Sequence, residues 1–303
     1  MFISVRKFRF SATPSPLERV GERSKLQLPI FYLLLLFAIV GCKQNEPEAT
    51  SKYITKVFEY VYAPGQHASI ANIADSANFV GEPKTDKWVY LGGFGGYIIA
   101  GFDHNVKNET GADFEVYALA GQAPEPAIVY VMSDTNADGL PNETWYELKG
   151  SQFDNSQRNY WVCYHKATTD TTNITWTDSK GNAGELVSGF GGASSAKWWW
   201  KSTAADSIKF EGTRLPDAYD LVSSNWVVPV GRFAWGYAEN LQGTDYEKAT
   251  YANKLDIANA VDSTGNAVVL PHIRFIKVQS AVFQQAGRLN EVSSEVRGAK
   301  SLR

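Results

Sequence analysis

From Ile54 onward the chain is cut into short apolar or alternating runs by Gly, Pro, Asn and Asp, at intervals of roughly ten to fifteen residues. Alternation with a period of two puts successive side chains on opposite faces of a strand, so such runs suit a half-buried sheet and not a helix. Candidate strands fall at 55–62, 87–91, 97–103, 113–119, 127–133, 145–150, 159–166, 173–178, 207–212, 226–230 and 268–283. Helical periodicity shows only weakly, around 247–260. With 9 Trp, 15 Tyr and no interior linker, the pattern predicts an all-β fold: one β-sandwich of jelly-roll type over 54–303. In Ile273-Arg-Phe-Ile-Lys-Val278 the apolar phase changes, and one extra residue, a β-bulge, would restore both sets to the core.

The first 53 residues read differently. Leu28 to Val40 form an apolar run preceded by Arg19, Arg23 and Lys25. It is shorter than the roughly 20 residues that span a bilayer and has the layout of a signal peptide. It ends Ile39-Val40-Gly41-Cys42, which resembles the bacterial lipobox, cleaved before a cysteine that then carries lipid. Residues 1–41 are therefore expected to be a signal peptide with an N-terminal extension, and 42–53 a lipidated Cys42 followed by a polar tether. The acidic stretch after Cys42 is similar to the export signal of Bacteroidetes surface lipoproteins. Lys43, in place of Asp, argues for the outer membrane. With Cys42 lipidated, Cys163 has no partner and reads as a small buried hydrophobe in a strand.

Charge excludes one class of partner. Residues 1–42 hold six Lys/Arg and two acids, leaving 23 basic against 30 acidic residues and a net charge near −7. No Lys/Arg stripe suited to phosphates appears, so no nucleic acid is expected.

Asp134-Thr-Asn-Ala-Asp-Gly-Leu-Pro-Asn-Glu-Thr-Trp-Tyr-Glu147 carries the strongest site signal. Asp134, Asn136 and Asp138 alternate and Gly139 follows, as in the first half of a calcium loop, where hard oxygens converge and glycine permits the turn. The residue at position twelve is Trp145 where that loop has a bidentate Glu. The expected Ca²⁺ set is Asp134, Asn136, Asp138, Leu140, Glu143 and Glu147, acting as a structural clamp between two strands. The competing reading is an ordinary Asp/Asn/Gly-Pro turn.

Elsewhere the chemistry is sparse. There is no Gly-x-Ser-x-Gly elbow, and His67, His104, His165 and His272 are scattered without zinc-ligand spacing. Asp103 and His104 are adjacent on a candidate strand and are expected to face opposite ways. Leu91-Gly-Gly-Phe-Gly-Gly96 and Ser188-Gly-Phe-Gly-Gly192 lack phosphate-loop spacing and read as tight turns beside the core. Any two of thirty acids can be offered as a glycosidase pair, and sequence alone does not choose. In a strand, Trp198-Trp199-Trp200 would expose at least one ring, a stacking platform for a sugar or another flat ligand, against the alternative of core packing. Trp235 and Tyr237 are further candidates for ligand contact.

Several phrases occur together in order: Leu91-Gly-Gly-Phe-Gly-Gly, Gly101-Phe-Asp-His-Asn105, Asp113-Phe-Glu-Val116, Glu125-Pro-Ala-Ile-Val129, Asp134-x-Asn-x-Asp-Gly-x-Pro and Trp145-Tyr-Glu-Leu-x-Gly-Ser151. Gly212-Thr-Arg-Leu-Pro216, Trp235-Gly-Tyr-Ala-Glu-Asn240, Leu270-Pro-x-Ile-x-Phe-Ile-Lys-Val278 and Glu291-Val-Ser-Ser-Glu295 complete the set. The series resembles a family of Bacteroidetes cell-surface lipoproteins, some described as PKD-domain-containing, over nearly all of 56–303. Departures are Glu239 where the family has Asp, and Lys300-Ser301 where an acidic pair is usual. The resemblance implies nutrient uptake, of glycans or of corrinoids, beside an outer-membrane transporter complex, and brings no catalytic residues with it. The expected function is a non-catalytic, lipid-anchored binding protein at the cell surface. The alternatives are a carbohydrate-active hydrolase or lyase on a jelly-roll scaffold and a structural or adhesive surface protein. Radiolabelled palmitate is expected to enter the wild-type protein and not Cys42→Ala; equal labelling of both would refute the lipid anchor.

Overall fold

The computed structural model describes residues 49–119, 124–188, 194–201, 203–287 and 290–303, which cluster within one compact unit, Asn45–Arg303. Cys42, the signal peptide and most of the tether lie outside the described residues, as do Gly189–Gly192 of the second glycine-rich segment. No helix among the described residues is long and apolar enough to cross a membrane.

The strands are β1 (Lys56–Val61), β2 (Val89–Gly92), β3 (Tyr97–Lys107), β4 (Phe114–Ala118), β5 (Ala127–Met132), β6 (Tyr146–Leu148), β7 (Gln157–His165), β8 (Ile174–Asp178) and β9 (Ala183–Leu186). They continue with β10 (Ser207–Arg214), β11 (Asp220–Val222), β12 (Asn225–Val227), β13 (Tyr246–Glu247), β14 (Ala252–Leu255), β15 (Ala260–Val261), β16 (His272–Ser280) and β17 (Ser294–Ser301). The all-β sandwich predicted from strand cadence is the architecture found. The weak helical periodicity near 247–260 is overruled: β14 pairs with β4, and a short 3-10 turn follows at Ile257–Asn259. Paired backbone and burial of Ala252 and Leu255 outweigh local propensity there.

Two antiparallel sheets form the sandwich. One has six strands in the order β1-β3-β16-β5-β6-β15, and the other five in the order β13-β14-β4-β17-β2. Between them lies the main core, where Ile98, Ala100, Val129, Val131, Ile276 and Val278 of the first sheet join Val89, Leu91, Phe114, Val116, Val296 and Ala299 of the second. A four-stranded sheet, β10-β7-β8-β9, packs near the outer face of the six-stranded one, with Val61 and Tyr97 against Tyr160, Val162, Tyr164 and Phe210. Ile128 and Tyr130 look the same outward way into a third cluster with Leu215, Phe233 and Val282. The central sheet is therefore covered on both faces.

In β16 the irregularity falls between Ile273 and Phe275, opposite the stretch Phe102–Asn105 of β3, while pairing with β5 runs on unbroken from Phe275. The predicted irregularity is present, but it does not bring Phe275 to the main core. Ile273, Ile276 and Val278 share the main core, and Phe275 goes to the other face, edge-on to Phe58 at 5.4 Å. The first glycine-rich segment does make the expected tight turn. Gly92 (φ 75°) and Gly95 (φ 94°) hold left-handed backbone, and a Cβ would lie 2.2 Å from the Ala63 carbonyl oxygen and from Phe210 Cβ respectively. Cys163 belongs to the half-exposed face of β7, between buried Val162 and Tyr164, so it is not the buried hydrophobe expected.

Candidate functional site

The Asp134 loop joins β5 to β6, and its polar atoms are placed one by one. Asp134 Oδ2 accepts from the Gly139 N–H and from Arg274 Nη1, each at 3.0 Å, so the loop is tied to the irregular point of β16. Asn136 Oδ1 accepts from the Asp138 N–H at 2.9 Å, and Asp138 Oδ1 from the Leu140 N–H at 2.8 Å. The Asn142 amide donates to Asp138 Oδ2 at 2.8 Å and, with further hydrogen bonds, holds that carboxyl below its usual range. Glu143 Oε1 accepts from the Thr135 and Asn136 N–H groups at 2.9 and 3.2 Å. Two carboxylate oxygens, Asp134 Oδ1 and Glu143 Oε2, are buried without any hydrogen-bond partner. Hard, negatively charged oxygens left bare inside a turn fit a divalent cation.

Glu147 does not belong to that set. It pairs with Tyr130, four residues before Asp134, and its Oε2 accepts the Thr213 hydroxyl, in a separate cavity of about 210 Å³ shared with Arg158 and Lys277. Burial pushes its carboxyl up, with Thr213 and Arg158 opposing.

The aromatic platform is also relocated. Trp198 closes a 3-10 turn, Ser195–Trp198, capped by Ser194 Oγ, so strand alternation does not apply. Trp198 and Trp199 are buried beside Phe94 and Tyr160, and Trp200 packs edge-on against Tyr62 at 6.0 Å. Tyr237 is buried, its hydroxyl accepting from the Gln152 N–H at 2.8 Å. Trp235 lines a polar cavity with Asp245 and Lys254. Bulky indoles carry so much apolar area that burial wins wherever neighbours permit it. Asp103 and His104 depart from expectation as well. Within the β3 irregularity, His104 Nδ1 lies 2.8 Å from Asp103 Oδ1.

An aromatic-walled cavity lies elsewhere, between the β8–β9 edge and the segment after β16. It measures about 280 Å³ and is walled by Phe94, Tyr164, Trp176, Leu186, Val282 and Phe283. Trp176 and Phe283 meet edge-to-face at 4.8 Å, and Gly184 leaves no room for a Cβ over the indole, which would sit 2.5 Å away. Besides the aromatic walls, four polar residues enter the lining: Glu185, Gln284, Gln285 and Glu291. The glutamine amides are spent on backbone, Gln284 on Tyr219 and Gln285 on Val187. Glu291 Oε1 accepts from the Gln66 N–H at 2.6 Å, while Oε2 is buried and unpartnered. Burial, reinforced by the charge of Glu295, pushes the Glu291 carboxyl up to about 8, so it is neutral at pH 7. None of the four histidines lines this cavity.

Near Glu291 stand three more acids, Glu125, Glu239 and Glu295, brought together by long-range pairing. A two-way bridge joins Ala127 to Ala238, the Glu125 N–H donates to the Glu239 carbonyl at 3.2 Å, and Glu295 follows Ser294 at the start of β17. Sequence reasoning did not single these four out. The available signal was that each lies inside one of the ordered phrases, Glu125-Pro, Trp235–Asn240 and Glu291–Glu295.

The linkage for Glu291 has a definite sign. The unfolded chain releases this proton near 4.5 and the folded chain near 8, so between those values the folded state binds more protons and stability falls as pH rises. In chelator, Glu291→Gln is expected to gain on the wild type by a few kcal/mol between pH 5 and pH 8 in urea unfolding. A difference that stays flat with pH would refute the raised carboxyl. Compared with known proteins, the chain matches no family model and none of the curated sequences.

Proposed function

We propose that this chain is a lipid-anchored outer-membrane protein that captures a nutrient, a glycan or a corrinoid, and hands it on without chemistry. The observation that carries the reading is the apolar cavity at the β8–β9 edge. Trp176 and Phe283 offer rings on which a sugar or another flat group stacks, and Glu291 offers one carboxyl that is uncharged at neutral pH. A concave site with aromatic walls and few polar groups is the usual form of a small-molecule pocket. The lipobox before Cys42 and the ordered phrases shared with Bacteroidetes surface lipoproteins support the anchor and the uptake role. In a calorimetric screen of glycans and corrinoids, a saturable ligand without product is expected, with affinity reduced about tenfold in Trp176→Ala. Product formation would place the chain among carbohydrate-active enzymes, and absence of any ligand would leave an adhesive role.

Structural Ca²⁺ in the 134–143 loop belongs to the same proposal, held by Asp134, Asn136, Asp138, Glu143 and the Leu140 carbonyl. The bare Asp134 Oδ1 and Glu143 Oε2 support it. EGTA is expected to lower the melting temperature, and Asp134→Ala/Asp138→Ala to remove one equivalent of bound Ca²⁺. An unchanged stoichiometry would make the loop an ordinary turn.

A further inference from the structure

The carboxylates beside the cavity raise a question that the cavity's ligand does not answer. Glu125, Glu239 and Glu295 each offer an oxygen, and these atoms all lie within 4.8 Å of one another. Glu239 and Glu295 are buried, and Glu125 is half-buried. Three carboxylates at such range repel strongly in a medium of low dielectric constant unless protons or a cation intervene. Among the described residues no Lys or Arg forms an ion pair with any of them. The nearest guanidinium in sequence, that of Arg297, is spent on the carbonyl oxygens of Ala118, Lys84 and Thr250.

Existing hydrogen bonds satisfy part of the cluster and leave one atom over. Glu239 Oε2 accepts from the Glu295 N–H, and Glu295 Oε1 accepts from the Ser293 hydroxyl at 3.2 Å. Glu239 Oε1, on a residue with no exposure at all, has no partner. A buried carboxylate oxygen without a donor is costly, and a bound cation would relieve that cost. The chain also accepts positive-φ backbone at Glu239 (φ 52°), the residue that brings this carboxyl to the cluster. Burial and mutual repulsion raise the Glu125 and Glu239 carboxyls well above their ordinary values, so without a cation they hold protons at neutral pH.

We infer that Glu125, Glu239 and Glu295 form a second divalent-cation site, distinct from the Asp134 loop, that takes a hard ion such as Ca²⁺. The oxygen-only donor set selects hard cations over zinc or copper. Oxygens on opposite sides of a Ca²⁺ at 2.3–2.6 Å are about 4.6–5.2 Å apart, so the observed spread suits its shell with little movement. An ion here links the segment before β5, the Ala238 bridge and the start of β17, clamping from behind the wall that carries Glu291.

The test uses the chain carrying Asp134→Ala/Asp138→Ala, so that the loop does not contribute, with Ca²⁺ as probe in equilibrium dialysis and thermal melting at pH 7.5. One equivalent of Ca²⁺ is expected to bind and to raise the melting temperature. Adding Glu239→Gln is expected to weaken that binding at least about 100-fold. Glu125→Gln, at the more exposed member, gives the same readout if the first substitution prevents folding. A background chain that binds no Ca²⁺, or binding unchanged by either Gln substitution, would overturn the site and leave protons as the only neutralising partner. Loss of nutrient binding in the screen above would not bear on this result, because no nutrient is present.

Discussion

Covering the six-stranded sheet on both faces is the constraint on which the rest of this molecule depends. A sheet with one wet face needs apolar residues at every second position, but a doubly covered strand needs them at nearly every one. β16 meets this demand on its inner face, where Ile273, Ile276 and Val278 enter the main core, and outward at Phe275, which packs on Phe58. The polar exceptions on the outward face are compensated in part, Gln279 Oε1 being buried without a partner. Lys277 lies over the rings of Tyr97 and Tyr130, and Gln279 donates to the Gly95 and Glu211 carbonyls. Burial pushes the Lys277 amine down to about 8, the cost of placing a cation in a covered layer.

The candidate sites lie where that layering ends. After Ser280 the chain leaves the sheet, and Val282–Gln285, with Glu291 and Val292, wall the aromatic cavity against β8 and β9. At the irregular point of β16, Arg274 is free to reach Asp134 and hold the proposed calcium loop. The four glutamates gather where β17 begins and the Ala127–Ala238 bridge crosses, at the rim between sheets. The loop and the glutamate cluster thus follow from interruptions of regular pairing, while the cavity borrows Trp176 and Gly184 from the β8–β9 ladder.

Much of the fold was legible in the residues. Strand cadence located β1 to β8, β10 and β16, and the glycines at 92 and 95 announced their turn through the conformations only glycine adopts cheaply. Strands without their own pattern were missed. β14 and β17 carry Lys, Asn, Arg and Ser, and exist because β4 pairs with both. The sites were less legible. Asp134, Asn136 and Asp138 are close in sequence, so their spacing reports their chemistry. Trp198–Trp200 misled because composition cannot say whether an indole faces solvent or core.

What the sequence determined by itself is local: the all-β class, the turns, the lipobox pattern and an oxygen-rich loop, all of which depend on residues within a few positions of one another. The tertiary structure alone decided which strand faces are buried twice, that Trp176 and Phe283 form the cavity in place of Trp198–Trp200, and that Glu147 serves another site. It also alone brought Glu125, Glu239 and Glu295 together from positions up to 170 residues apart. The reason is physical. Burial and charge proximity depend on pairing between distant strands, and a single chain read in order carries no record of which distant strands will pair.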